Sequence, residues 1–171
     1  MLSDEVRIEL SKFAKAVIKS SRSNLTRKGK NASKELYNSL DFDLNVSKNS
    51  FSLAFLMEAY GKFQDVGVSG KKKKYNTPFS YKSKMPPAKA FDKWTIRKGL
   101  APRDKEGKFI SRKSLNFLIA RSVYNNGIKP SLFFTKPFEA AFQRLPEDLI
   151  EKFGLDIEDF LKFTTNNLPN G

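Results

Sequence analysis

A chain of 171 residues with 32 Lys and Arg against 18 Asp and Glu carries a net charge of +14 and contains neither histidine nor cysteine. Disulfides, thiol nucleophiles, histidine bases and the usual zinc ligands are thereby excluded, which leaves carboxylates, lysine, tyrosine and hydroxyls for chemistry. The length suits one domain burying roughly 70% of the unfolded surface, and no apolar run reaches the roughly 20 residues of a membrane span or the form of a signal peptide, so a soluble, cytoplasmic protein is expected.

The charge is uneven. Residues 1–65 hold 11 basic against 8 acidic side chains, 66–113 hold 15 against 3, and 114–171 hold 6 against 7. A middle segment this basic seeks an anionic partner, and its binding should weaken with salt.

In chain order, Ser3 to about Leu25 predicts an amphipathic helix, with Ser3 as cap, Asp4 and Glu5 at the dipole's positive end, and Val6, Leu10, Phe13 and Val17 recurring at helical spacing. Lys12, Lys15, Lys19 and Arg22 fall on the opposite, solvated face. Beyond Gly29 the pattern resumes over Asn31 to Leu40, with Ala32, Leu36 and Leu40 on one side. From Asp41 the period changes to two: Phe42, Leu44 and Val46, a turn at Lys48-Asn49, then Phe51, Leu53, Phe55 and Met57 predict a half-buried antiparallel hairpin over about 41–57. Glu58 to Asp65 reads equally as a short helix or a bent strand.

Residues 67–84 differ in composition, with Lys71, Lys72, Lys73 and Lys74 in a row and Tyr75, Phe79 and Tyr81 spaced among Lys82 and Lys84. Adjacent lysines repel and resist burial, so the segment reads as a mobile solvated loop, or as a basic arm with interleaved aromatics that becomes ordered against a partner. Pro86-Pro87 opens a helix with Ala90, Phe91 and Trp94 as its buried side and Arg97-Lys98-Gly99 as its stop. A charged loop follows, turning at Lys105-Glu106-Gly107.

The best-punctuated stretch is Phe109 to Phe134. Ser111 or Ser114 caps a helix, Leu115, Leu118, Ile119 and Val123 form its stripe, and Asn126-Gly127 stops it before Pro130. Leu132-Phe133-Phe134 is too apolar for water and is expected to share a core with that helix. Lys136 to Leu145 predicts a helix through Phe138, Ala141, Phe142 and Leu145, and Glu147 to Phe153 and Asp156 to Phe163 predict two more around Gly154. The acidic residues Glu147, Asp148, Glu151, Asp156, Glu158 and Asp159 gather here. An acidic end and a basic middle suggest either neutralisation within the chain or head-to-tail contact between copies. From about Thr164 the chain reads as a frayed tail, leaving 1–163 as a single domain.

No motif seats catalysis. Asp41 and Asp43 share the polar face of a strand, the acidic clusters read as first-turn charges, and phosphate-loop, dinucleotide-turn and nucleophile-elbow patterns are lacking. The basic excess offers phosphate affinity and nothing that reads bases.

Several short patterns follow one another over roughly residues 30–135. They are Lys30-Asn31-Ala32-Ser33-Lys34-Glu35-Leu36-Tyr37-Asn38-Ser39-Leu40 ahead of the hairpin, and Tyr60-Gly61-Lys62-Phe63-Gln64-Asp65-Val66-Gly67. Then come Phe91-x-x-Trp94-x-x-Arg97-Lys98-Gly99, Phe117 to Val123 including Arg121, and Gly127-Ile128-Lys129-Pro130-Ser131-x-Phe133-Phe134. In this order they resemble the neck or tail-completion (head-tail connector) proteins of tailed bacteriophages. The resemblance implies an α+β fold with a small antiparallel sheet packed against helices, and a ring of copies joining the portal and head to the tail or completing the tail end. It implies partners among portal, connector or tail proteins, possible contact with packaged DNA, no membrane, no enzymatic activity and no cofactor. The protein would be assembled in the host cytoplasm and end in the virion. In that setting Lys71 to Lys74 would reach an acidic neighbour or line a DNA channel, contact with a neighbour being the safer role. The lysine-rich loop and the acidic C-terminal extension depart from the family. The rival readings are a non-specific DNA-binding protein and a carboxylate enzyme.

Overall fold

A computed structural model describes residues 2–47, 49–155 and 157–166. Among them are eight α-helices and one two-stranded antiparallel sheet, an α+β fold in which the sheet packs against helices, as the change of period from 3.6 to 2 predicts. The residues group into two compact units, one formed by 1–61 with 132–171 and the other by 62–131.

In the first unit, α1 (Leu2–Arg27) begins ahead of Ser3, which therefore lies within the helix and does not cap it. Its stripe is as expected: Val6, Leu10, Phe13 and Val17 are all buried. Arg22 departs from the solvated face. Its Nε donates to the Tyr37 carbonyl (3.1 Å), its Nη2 to the Leu40 carbonyl (2.8 Å), and its guanidinium lies 5.3 Å from the Tyr37 ring centroid. These charge-assisted bonds tie the end of α2 (Glu35–Ser39) to α1. That helix is shorter than predicted: Lys34, at φ 59°, adopts a left-handed conformation that helices do not continue through, so Ala32 and Ser33 stay outside it.

The hairpin pairs β1 (Asp41–Val46) with β2 (Phe51–Leu56) in the register Asp41↔Leu56 to Val46↔Phe51. Leu53, Phe55 and Met57 are buried, Phe42, Leu44 and Val46 half-buried, and Asp41 and Asp43 exposed, which is the alternation read from sequence. At the turn Ser47 N–H donates to the Ser50 carbonyl (2.8 Å); Lys48 of the expected turn lies outside the described residues. The undecided stretch that follows is helical, α3 (Gly61–Val66).

Phenylalanines dominate the core of this unit. Phe138, from α6 (Thr135–Phe142), packs edge-on to Phe13 at 5.2 Å and to Phe160 at 5.5 Å, and Phe55 packs edge-on to Phe134 at 5.0 Å. Each fully buried ring contributes roughly 1.5–3 kcal/mol by burial, with edge-to-face geometry adding to it. Helices α7 (Glu147–Phe153) and α8 (Ile157–Asn166) turn Leu149 and Phe160 inward, and Gly154 between them takes a left-handed φ of 56°. Helix α8 runs past the expected onset of the tail at Thr164; Asp156 and residues 167–171 lie outside the described residues.

In the second unit, a 3-10 turn (Ala88–Phe91) after Pro86-Pro87 leads into α4 (Asp92–Arg97), and Gly99 at φ 61° follows its end. The expected buried side is overturned: Ala90 and Trp94 are exposed, Phe91 is half-buried, and Thr95 is the buried residue. A polar lock decides this orientation. Thr95 shares its hydroxyl proton between the Asp92 carbonyl (2.9 Å) and Asn116 Oδ1 (3.1 Å), while Asn116 Nδ2 donates to Asp92 Oδ1 (3.0 Å).

Asn116 belongs to α5 (Arg112–Asn126), where Ser111 is the cap and accepts from Ser114 N–H (3.2 Å). Its buried positions are Asn116 and Ala120, with Leu115, Ile119 and Val123 half-buried; Leu118, placed in the stripe by spacing, is exposed. The shared core expected for this helix and Phe133-Phe134 does not form. Helix α5 lies in the second unit, whereas both phenylalanines are buried in the core of the first.

Candidate interaction surface

The second unit holds 18 Lys and Arg against 4 Asp and Glu, while the first holds 14 against 14, so the second unit carries the entire net charge. The middle-segment bias seen in the sequence thus becomes a property of one folded body.

Between Gly67 and Lys82 the segment is hydrogen-bonded to the rest of its unit, so its backbone is placed without a partner. The N–H groups of Lys71 and Lys72 donate to the carbonyls of Tyr124 and Asn125 (both 2.9 Å), and Lys73 N–H also reaches Asn125 (3.2 Å). These are carbonyls of the last turn of α5, which have no partner within the helix and need one from outside it. Ser69 bridges to the strand-like Phe79–Tyr81 stretch, donating to the Phe79 carbonyl (2.8 Å) and accepting from Tyr81 N–H (2.9 Å). All four lysine side chains are exposed, with Lys74 Nζ donating back to the Gly70 carbonyl (2.9 Å). Their charge stands at the negative end of the α5 dipole, which offsets part of their mutual repulsion.

Glycines make this contact possible. Val68 and Ile128 exchange N–H to carbonyl bonds (2.9 and 2.8 Å), bringing Gly67, Gly70 and Gly127 against one another's chain segments. A Cβ on Gly67 would lie 2.7 Å from the Pro130 ring. Gly127 has the positive φ predicted for a helix stop, 70°, but its ψ of −165° is the mirrored extended region, which in practice is reserved for glycine. A Cβ there would collide with the Val68 carbonyl.

The expected interface residues group as follows. Tyr75 is half-buried, 5.7 Å from Lys73 Nζ at its ring centroid, and its N–H donates to Ser69 Oγ (3.0 Å). Lys82 and Lys84 are exposed; the Lys82 carbonyl accepts from the Tyr124 hydroxyl (3.4 Å), beside Tyr81, whose phenol burial pushes above its usual 10.0. Arg121 is exposed on α5. Tyr60, Phe133 and Phe134 belong to the other unit, where both phenylalanines are core. Tyr60 is exposed, and burial of its hydroxyl, with Glu35 and Glu58 close by, raises its pKa.

Sequence reasoning missed the apolar part of the second unit's surface. Trp94, Ile96, Leu100, Phe109, Phe117 and Leu118 are all exposed. Ile96, Leu100 and Phe109 line one groove of ≈ 430 Å³, with Thr95, Ile110, Leu115 and Arg112 as further walls. Arg103 lies over Phe109, 3.8 Å from its centroid, and Arg112 pairs with Asp92 at 2.9 Å. The turn beside it is the one expected, with Gly107 at φ 79° and the Asp104 carboxylate accepting from Glu106 and Lys108 N–H (3.0 and 2.8 Å).

Among the described residues no three Asp or Glu side chains converge as a metal site, and no helix is long and apolar enough to cross a membrane. No family model, curated protein or solved structure matches the chain. The class that the fold defines is an α+β protein with a cationic, partly apolar surface on one unit.

Proposed function

We propose that this chain is a structural virion protein of the phage head-to-tail neck, assembling as an oligomeric ring that joins the portal and head to the tail or completes the tail end. The observation that carries the reading is the surface of the second unit, where large apolar side chains stand exposed among arginines and lysines. Exposed apolar clusters with arginine at their edge are what subunit interfaces present, and monomers rarely keep them in water. The resemblance stated above supports it too, and of its pieces Tyr60 to Gly67 and Gly127 to Phe134 the parts that meet are Gln64, Asp65 and Gly67 with Ile128, Pro130 and Ser131. The test is quantitative mass spectrometry of purified particles from the source of this gene. A low, fixed copy number relative to the major capsid protein is expected; absence from particles refutes the reading.

The ordered lysine run favours a second reading, a non-specific DNA-binding protein, because a fixed row of exposed cations needs no ordering step before it meets phosphates. That reading requires log affinity to fall with log salt at about 0.9 per phosphate neutralised. No DNA shift at low salt would remove it.

A further inference from the structure

We infer that the groove between α1 and the segment running from α2 into β1 binds a nucleoside phosphate, free or as part of a single strand, with the phosphate against Lys15, Lys19 and Arg22 and the nucleoside against Tyr37, Asp41 and Phe42. The inference goes beyond the ring reading and uses neither the lysine run nor the second unit.

The groove measures ≈ 450 Å³, within the range of small-ligand sites, and all of its walls belong to the first unit. The α1 wall is cationic. Lys15, Lys19 and Arg22 follow one another at four and three residues, so the helix brings all three to one side over about 10 Å of its axis. No ion pair to any of the three is found among the described residues, so their charge is left to draw an anion from solvent. Arg22 is also fixed in place. Its Nε and Nη2 are engaged by the Tyr37 and Leu40 carbonyls, which leaves Nη1, the nitrogen that bonds neither, to meet a ligand. A guanidinium held in this way loses little freedom when it takes an oxyanion.

The other wall decides what the anion carries. Tyr37 and Phe42 are half-buried rings, and the Arg22 guanidinium lies 5.3 Å from the Tyr37 centroid; aromatic rings and guanidinium planes are the surfaces on which bases stack. Asp41 is exposed on the same wall, and although its Oδ1 accepts from Phe42 N–H (2.9 Å), an ionised carboxylate has lone pairs for further donors. Acyl chains of a lipid bring no donor to it, and a bare phosphate brings only like charge. Sugar hydroxyls and base amino groups are donors, so a nucleoside is the body that suits this wall.

The test titrates the full chain at low salt with AMP, adenosine and inorganic phosphate by calorimetry, and with a labelled single-stranded oligodeoxyadenosine by fluorescence anisotropy. At least one of AMP and the strand should bind, at least about tenfold more tightly than adenosine or phosphate. Tighter binding of the strand, displaced by AMP, assigns a strand as the source, and tighter binding of AMP assigns the free nucleotide. The variant Lys15→Gln with Lys19→Gln changes two exposed side chains and should weaken that binding at least about tenfold with an unchanged circular dichroism spectrum. Replacing Lys71 to Lys74 by Ser should leave it as it is. Photocrosslinking with azido-AMP needs no variant and should label the peptide that contains Tyr37 to Phe42. Binding of neither AMP nor strand would overturn the inference, as would phosphate binding as tightly as AMP, which is an adventitious ion only. So would affinity that survives in the Lys15 and Lys19 variant, or a crosslink that falls outside the groove.

Discussion

The N–H of Lys71 donates to the carbonyl of Tyr124 at 2.9 Å, so the most charged run in the chain closes the C-terminal end of its best-formed helix. The lysines are held by their backbone, and their side chains stay available. This separation has a direct test. Replacing Lys71 to Lys74 by Ser should leave the circular dichroism spectrum unchanged and cost about 1 kcal/mol, since the backbone bonds survive and the losses are dipole complementarity, the Lys74 Nζ bond to the Gly70 carbonyl and the Lys73–Tyr75 contact. The same variant should bind double-stranded DNA with a salt slope shallower by about 0.9 for each phosphate contact removed. Loss of the folded spectrum would mean that the lysine side chains hold the segment.

Gly127 is the position where that closure admits no side chain. Gly127→Val should destabilise the protein by about 2 kcal/mol or more, from the disfavoured φ and from the clash with the Val68 carbonyl. Denaturant unfolding checks it, and an unchanged midpoint would refute the stop.

Trp94 and Asn116 should behave in the reverse of what their chemistry suggests. Trp94→Ala removes an exposed ring and should change stability by no more than about 0.5 kcal/mol. Asn116→Leu leaves the buried Thr95 hydroxyl with one acceptor fewer and the Asp92 carboxylate with Arg112 but without the Asn116 amide, and should cost about 1–3 kcal/mol. Comparing the two melting curves tests the polar lock.

Phe138→Ala should cost about 3–5 kcal/mol, because its fully buried ring touches Phe13, Phe55, Phe134 and Phe160 and none of them can collapse into the space without moving the others. Calorimetry on the full chain reads this directly.

Tyr60 and Tyr81 both titrate above 10.0 in the folded protein, Tyr60 from burial and then Glu35, Tyr81 from burial alone. A raised folded pKa means that the folded state holds the proton more tightly than the unfolded one. Its contribution to stability is therefore complete below the unfolded value and declines as pH rises through the folded value, so alkaline unfolding should begin above pH 10 with no effect near neutrality. Phenolate absorbance during an alkaline titration, compared between wild type and the Tyr60→Phe and Tyr81→Phe variants, should assign ionisation above the usual phenol value to each of these two residues. A single unshifted transition would contradict it.

The hairpin was legible because alternate residues of Phe51 to Met57 face a core, and period two can be read without knowing what that core contains. Ser111 and Gly127 were legible for the same local reason. Trp94 was not, since spacing alone turns a helix's apolar stripe inward, whereas here Thr95 is turned inward by Asn116, which comes from a different helix. The lysine run shows its repulsion in sequence but not the helix-end carbonyls that its N–H groups meet. The groove failed for a related reason: Ile96, Leu100 and Phe109 are scattered among charges, and only the fold assembles them.

The first unit is built from chain segments on either side of the second, and Phe13 stacks on Phe160 at 5.7 Å across that interval. On the ribosome α1 therefore emerges long before the residues that cover it, while 62–131 is complete as a contiguous piece. Until Phe138 and Phe160 have left the exit tunnel, only the hairpin is there to cover Val6, Leu10, Phe13 and Val17, and the rest of that apolar stripe is what a holding chaperone would meet first. Synthesis order makes the cationic unit the early folder and the phenylalanine core the late one.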